Sequence, residues 1–419
     1  MKKLLLISFV FPPAFSAESV MLLKKVRVLA RYFSITIITL DNKDNHFQDD
    51  STLKQMVPKN VRVKYVPSFD KKSVFNRVLN IVFKIVFRGS PLFLYYDLGW
   101  SLNAVRYIKN VLLKNEDFDV LMSNSRNICS HLVGYSIHKV NTIPWVQHYS
   151  DPYSDSMFDE KWHYKLFMKH VDTKIEEVFI KRATVITVPS KELGNCICEK
   201  YNKIDTCFCS DKVIVIPHVY DGPMNEKAVA LYTEGDTCFE KGNYFHICYL
   251  GSLYGPRSFR YILKVLGDLA NSDKSSDKKI VIHLFGEMDK ASKKLFSEYK
   301  CENIRFHGSV VYLKSLALMA HADALLLIDT PIEKSPYFPS KLSDYMGTDN
   351  PIIALASEQS CVKRIAEETH LIHFLFDESI CYEKLNHPIS KEKLQSRVAF
   401  SNRTNVYTDL INKINSSTR

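Results

Sequence analysis

Short apolar runs alternate with helix-spaced segments along almost the whole chain, and this alternation restricts the fold more than any other feature. Leu4–Val10 has the length and apolarity of a strand. Val20–Tyr32 follows, with Val20, Leu23, Val26, Val28 and Leu29 at helical spacing, and Ile35–Leu40 and Val61–Val66 are the next runs. Val120–Ser123 and Pro144–Gln147 are short strand signals, Ile175–Arg182 ends a helix that hands over to Val185–Val188, and Val213–Pro217 closes the series. A second series begins at Phe245, with runs near Ile247–Leu250, Ile280–Phe285, Ile304–Phe306, Ala324–Ile328 and Pro351–Ala354. Strands buried on both faces read as continuous apolar runs, and interleaved helices join them in parallel. The predicted class is therefore α/β, with two open, Rossmann-like domains. A length of 419 residues fits two domains of about 200 residues each. The polar, weakly patterned stretch 221–243 reads as the linker between domains 1–220 and 244–390, and 391–419 reads as a terminal helix. Two such domains facing each other make a cleft at the carboxyl ends of their strands, where this architecture binds ligands.

Composition narrows the partners. The net charge of +10 favours anions, but the basic residues are spread along the chain and no nucleic-acid-binding module is visible, so sugar nucleotides and anionic lipid head groups fit better than nucleic acid. No apolar run reaches the length of a membrane span. The start, MKKLLLISFVFPPAFSA, imitates a signal peptide, yet Pro12 and Pro13 would break its apolar helix, so a first strand is the better reading. Cys196, Cys198, Cys207 and Cys209 are paired more tightly than zinc sites require; one-residue spacing instead lets alternate strand positions share a face, as partly buried free thiols in a reducing cytosol. Lys71 to Phe93 sets Val74, Val78, Leu79, Val82, Ile85 and Val86 among Lys71, Lys72, Arg77, Lys84 and Arg88, the pattern of a basic amphipathic helix that can dock on an anionic membrane. The expected location is cytoplasmic and peripheral on the inner face of the plasma membrane.

Two stretches carry the chemistry. Pro339 to Leu355, PSKLSDYMGTDNPIIAL, combines a helix start at Pro339 and Ser340 with a buried stripe of Leu342, Tyr345 and Met346, and then a buried strand. Its first turn brings free N–H groups and the charge of Lys341 to a phosphate, and Asp344, one turn on, can accept from ribose hydroxyls. Gly251-Ser252-Leu-Tyr-Gly-Pro-Arg257 lies between a strand and the helix-like SFRYILKVLGDLA; its glycines let backbone approach a ligand, and Arg257 can clamp a diphosphate.

With LLLISFVFPPAF, WVQHYSDPYSD and ICYLGSLYGPRS, these segments come in the order and at the separations of the GT-B glycosyltransferases. The chain resembles in particular the large retaining family four (group 1), with its P-x-K-hydrophobic-x-E-Y stretch before G-x-P-hydrophobic-hydrophobic-A. The resemblance implies a terminal helix that crosses back onto the N-terminal domain. It gives Arg257 and Lys341 the task of neutralising a departing nucleoside diphosphate, and Asp344 the place of a ribose-binding glutamate. It gives the backbone of Gly286 and Gly308 contact with the base, and His148 and Asp151 contact with the sugar or acceptor. Two departures stand out: Pro336 occupies the position of the family's other glutamate, and the first loop, Phe11 to Glu18, lacks glycine. Glu18 reads as a helix cap rather than an acceptor contact.

The expected activity is transfer of a hexose-type sugar from a nucleotide diphosphate to a glycan or lipid-linked acceptor, in surface-polysaccharide assembly. Retention of configuration follows from the resemblance alone. With no Asp-x-Asp triplet and with cations at the diphosphate, no metal and no cofactor are expected. The rivals are a nucleotide-sugar epimerase of the same fold and a catalytically silent protein that binds a partner.

Overall fold

The computed structural model describes residues 1–419 except 88–89, 91–93, 126, 155–167, 205–209, 273–277, 300, 370, 382–384, 386–389, 402–404 and 417–419. The chain divides into two compact units, residues 1–217 with 404–419, and residues 218–403.

The first unit is built on strands β1 (Lys2–Ser8), β2 (Phe33–Leu40), β3 (Val61–Val66), β4 (Val120–Asn124), β5 (Trp145–His148), β6 (Val185–Val188) and β7 (Val213–Val215). They form one seven-stranded sheet in the order β3-β2-β1-β4-β5-β6-β7, with every neighbouring pair parallel. The order reverses between β1 and β4, the kind of switch point at which loops diverge and leave room for a ligand. Leu5 and Ile7 of β1 are wholly buried in a core that includes Trp100 and Trp145. The helix Ala17–Leu29 starts at Ser16, whose hydroxyl accepts from the Ser19 N–H while the Ser16 N–H donates to the Ser19 hydroxyl. The helix Asn405–Ser416 belongs to this unit and buries Tyr407, Leu410 and Ile414 beside β6 and β7.

The second unit adds β8 (Tyr244–Leu250), β9 (Lys279–Phe285), β10 (Ile304–Gly308), β11 (Ala324–Ile328), β12 (Lys334–Ser335), β13 (Ile352–Ala356), β14 (Gln359–Ser360) and β15 (Ile372–Leu375). Its main sheet runs β10-β9-β8-β11-β13-β15, again parallel throughout, while β12 and β14 pair separately. Here the order reverses between β8 and β11.

Three local expectations change. Residues 221–243 are not an open linker over their whole length: Asp221 caps the helix Gly222–Leu231 through the Met224 N–H, and Met224 and Ala228 are fully buried where this helix meets the helix Tyr312–His321. Only a few of its positions face the core, which is why the composition looks polar. The single terminal helix is two: Lys391–Ser401 stays in the second unit, where Arg397 donates to the Asn350 carbonyl at 3.1 Å, and Asn405–Ser416 returns to the first. Cys196 and Cys198 lie on the helix Lys191–Ile204 and not on a strand, so they do not share a face; Cys207 and Cys209 lie outside the described residues.

Candidate active site

Three glycine-bearing strand ends lie side by side in the second unit. The Gly251 N–H donates to the Phe285 carbonyl at 2.7 Å, and the Gly286 N–H to the Gly308 carbonyl at 2.9 Å. Gly251 has φ 146° and Gly286 φ 135°, conformations that side chains rarely adopt. A Cβ on Gly286 would stand 2.5 Å from the Gly251 carbonyl oxygen, and one on Gly251 would stand 2.9 Å from Lys341 Nζ.

Lys341 reaches this place from the first turn of the six-residue helix Ser340–Tyr345, which starts at Pro339 without a side-chain cap. The buried hydroxyl of Tyr345 ties that helix to the sheet, accepting from the Leu250 N–H at 3.1 Å and donating to the Leu326 carbonyl at 3.4 Å. Lys341 Nζ sits 3.7 Å from the centroid of the Tyr249 ring, which faces it with π-electron density. Withdrawal from water, and then the charge of Arg257, hold its pKa well below the usual lysine range.

Arg257 donates to Thr330 Oγ1 at 2.8 Å and stands 3.9 Å from Asp329 Oδ1. Asp329 and Thr330 directly follow β11, opposite Gly251 across the switch point. The carboxyl of Asp329 is wholly buried and is pushed up to about 6 by that burial, against the pull of Arg257. Two basic side chains and one buried carboxyl group therefore converge on a glycine-lined strand end. A dianion arriving there relieves the repulsion between Lys341 and Arg257 and favours the charged form of the lysine. A pair of basic groups placed in this way can meet the charge of a diphosphate.

No protein-family profile matches the chain. An uncharacterized glycosyltransferase of Methanocaldococcus jannaschii is 27% identical over 212 residues, 49% of this chain and 50% of that protein, so the chain spans about half the length of the curated relative it matches. Anabaena HepE, solved in complex with UDP, aligns over 99% of this chain and 100% of its own with a TM-score of 0.62 at 12% identity. WaaG, a glycosyltransferase involved in lipopolysaccharide biosynthesis, aligns over 97% of this chain and 95% of its own with a TM-score of 0.53 at 14% identity. The chain has the GT-B fold.

Within that GT-B fold, the second unit brings Gly251, Arg257 and Lys341 together, with Gly286 and Gly308 alongside through the backbone bonds above. Ser252 is exposed, and its carbonyl accepts from the Tyr249 hydroxyl at 3.1 Å. Pro339 and Ser340 begin the lysine-bearing helix, as expected. Asp344 is placed differently from a free ribose acceptor: it is buried, and the Tyr312 hydroxyl donates to both of its oxygens at 3.1 Å. Pro336 is buried beside β12.

The first unit gathers a second polar group at the carboxyl ends of β4 and β5. His148 is buried at the end of β5, with Nδ1 2.9 Å from Thr187 Oγ1. Asp151 follows it, half-buried, and its charge acts on Glu18. Glu18 is a correction to the cap reading. Ser16 caps the helix, and the Glu18 carboxylate instead accepts from Asn124 and, at 2.8 Å, from Ser150. Burial raises its pKa, opposed by the Ser150 hydrogen bond and by Lys25, and burial lowers the pKa of Lys25 in turn.

Sequence reasoning missed Tyr249, Tyr312, Asp329 and Thr330. The last two carried a usable signal: they directly follow the predicted strand Ala324–Ile328, at a carboxyl end where open α/β sheets place ligands.

Proposed function

We propose that the protein is a glycosyltransferase that moves a sugar from a nucleotide-diphosphate donor to a glycan or lipid-linked acceptor in surface-polysaccharide assembly. The observation that carries this reading is the convergence of Arg257 and Lys341 on the Gly251 strand end. As the bond from the sugar to the diphosphate breaks, negative charge builds on the leaving phosphate. Preorganised donors that meet charge as it develops lower the barrier more than groups that bind the ground state. Arg257, held by Thr330 and Asp329, and Lys341, held over Tyr249, are preorganised in this sense. In this reading they supply the cation, so transfer needs no metal, and the configuration is retained. Asp344 binds ribose after exchanging one of its Tyr312 hydrogen bonds. His148, Asp151 and Glu18 serve the acceptor. The UDP bound in HepE and the pathway of WaaG lend support to the donor and to polysaccharide assembly respectively.

The acceptor's lipid brings the protein to the cytoplasmic face of an anionic membrane. The helix Val74–Val86 has no buried residue and exposes Val74, Phe75, Val78, Ile81, Ile85 and Val86, with Ile85 70% accessible. Arg88 and Phe93 of the predicted basic helix lie outside the described residues. No helix among the described residues is long and apolar enough to cross a membrane.

The test is release of nucleoside diphosphate from UDP-, GDP- and ADP-hexoses, with and without a lipid-linked sugar in anionic vesicles. Acceptor-dependent release that disappears in Arg257→Ala supports the proposal. Acceptor-independent release with an isomerised sugar indicates the epimerase, and binding without any turnover indicates a silent partner protein.

A further inference from the structure

At the β9–β10 edge of the second unit's sheet, a cysteine and two histidines converge. Cys238 Sγ lies 3.5 Å from His283 Nδ1 and 3.5 Å from His307 Nε2, and the two histidine nitrogens are 3.0 Å apart. His283 is wholly buried on β9, Cys238 is half-buried on the segment before β8, and His307 is exposed on the edge strand β10. The register between β9 and β10 shifts between Phe306 and Gly308. A bulge of this kind re-aims a side chain, and here it stacks the His307 ring on His283 at an interplanar angle of 10°.

The hydrogen bonds behind His283 decide which of its nitrogens carries the lone pair. The Glu240 carbonyl can only accept, so His246 Nε2, 3.0 Å away, carries a proton and donates to it. In the neutral ring Nδ1 is then the acceptor, and His283 Nε2, 2.9 Å away, donates to it. His283 Nδ1 is left with its lone pair aimed at Cys238 and His307. A ligand histidine whose outer nitrogen is tied in this way has its tautomer and ring orientation fixed before any ion arrives. For tetrahedral zinc, with bonds of about 2.0–2.1 Å to nitrogen and about 2.3 Å to sulfur, the ligand separations come to roughly 3.5–3.6 Å for sulfur to nitrogen and roughly 3.3 Å for nitrogen to nitrogen. Both sulfur–nitrogen separations fit, and the nitrogen pair needs to open by a few tenths of an ångström.

We propose that Cys238 Sγ, His283 Nδ1 and His307 Nε2 form a three-ligand site for a divalent transition ion of the zinc class, with water in the fourth, solvent-facing position. A thiolate with two imidazoles is a borderline-soft set that suits zinc and not magnesium or calcium. Binding releases the Cys238 thiol proton to solvent and forms the sulfur–metal bond. The ion joins the segment before β8 to the edge of the sheet, one residue from Gly308. The site is separate from the diphosphate chemistry proposed above and stands without it.

The test uses the full chain without a histidine tag, stripped with EDTA, desalted and titrated with Co(II). One equivalent is expected to bind and give the intense visible bands of tetrahedral cobalt with a near-ultraviolet thiolate charge-transfer band. Cys238→Ser should remove the charge-transfer band, and His307→Ala should abolish stoichiometric binding and the Zn(II)-induced rise in Tm. A double Cys196→Ser/Cys198→Ser variant should keep both. Weak octahedral bands in the wild type, or a charge-transfer band that survives Cys238→Ser, would overturn the site.

Discussion

The ammonium of Lys341 rests 3.7 Å from the centre of the Tyr249 ring, next to a second cation, Arg257. Its pKa is lowered by burial and then by Arg257, so charging this group in the free protein costs stability. The sign follows from linkage. A lysine whose folded pKa lies below its unfolded value of 10.5 makes stability rise as pH rises towards that value. Lys341→Met is therefore expected to raise the urea midpoint of the free protein at pH 7, with the gain shrinking as pH approaches 10. The same variant should lose its response to nucleoside diphosphate. A lower midpoint at pH 7 would contradict the idea that the site is strained without its anion.

The two glycines should differ in severity. Gly251→Ala meets the end of a flexible lysine at 2.9 Å, whereas Gly286→Ala meets backbone oxygen at 2.5 Å, and both take a side chain into a rarely adopted φ. The expected cost for Gly251→Ala is about 1–3 kcal/mol, mainly backbone strain. Gly286→Ala should cost more, because the Gly251 backbone cannot swing away. Equal midpoints in denaturant melts would refute the close packing of these strand ends.

Legibility followed the physics of each element. The buried parallel strands β6 and β11 were readable to the residue because a strand covered on both faces is an unbroken apolar run. β15 was not, since Ile372, His373 and Leu375 are only half-buried, and β12 and β14 are two residues each. Lys341 and Arg257 were visible as cations at the starts of helical segments. Tyr249 was hidden among the apolar residues of β8, where nothing local separates a ring that packs from a ring that seats an ammonium. Glu18 was misread because an acidic residue in a first turn is ordinarily a cap, and here Ser19 completes the box with Ser16 in place of the usual Glu or Gln.

Asp329 sets a pH dependence. Its carboxyl titrates at about 6 in the fold against 3.8 in the unfolded chain. The folded state therefore holds the extra proton between these values, and stability falls as pH rises across that window. The shift corresponds to about 3 kcal/mol. The stability difference between wild type and Asp329→Asn, from urea melts at pH 4, 5, 6 and 7, is expected to move against the wild type through this range and then level off. A difference that does not change with pH would remove the account of the buried carboxylate.

The exposed helix Val74–Val86 can be tested without disturbing the fold, because none of its residues is buried. Ile81→Asp/Ile85→Asp should leave stability within about 0.5 kcal/mol. It should weaken co-sedimentation with phosphatidylserine vesicles by roughly tenfold or more. Unchanged vesicle binding would mean that this face does not dock on lipid.

The central claim is that Arg257 and Lys341 form a diphosphate site, and a thermal-shift screen tests it most directly. UDP, GDP, ADP, CMP and the corresponding sugars are each added with and without EDTA. A ligand at a hundred times its Kd adds about 2.7 kcal/mol to folding stability. The expected result is a rise in Tm with one nucleoside diphosphate, unaffected by EDTA, absent with CMP, and lost in both Arg257→Ala and Lys341→Ala. No shift with any nucleotide, or a shift that survives both substitutions, would contradict the site.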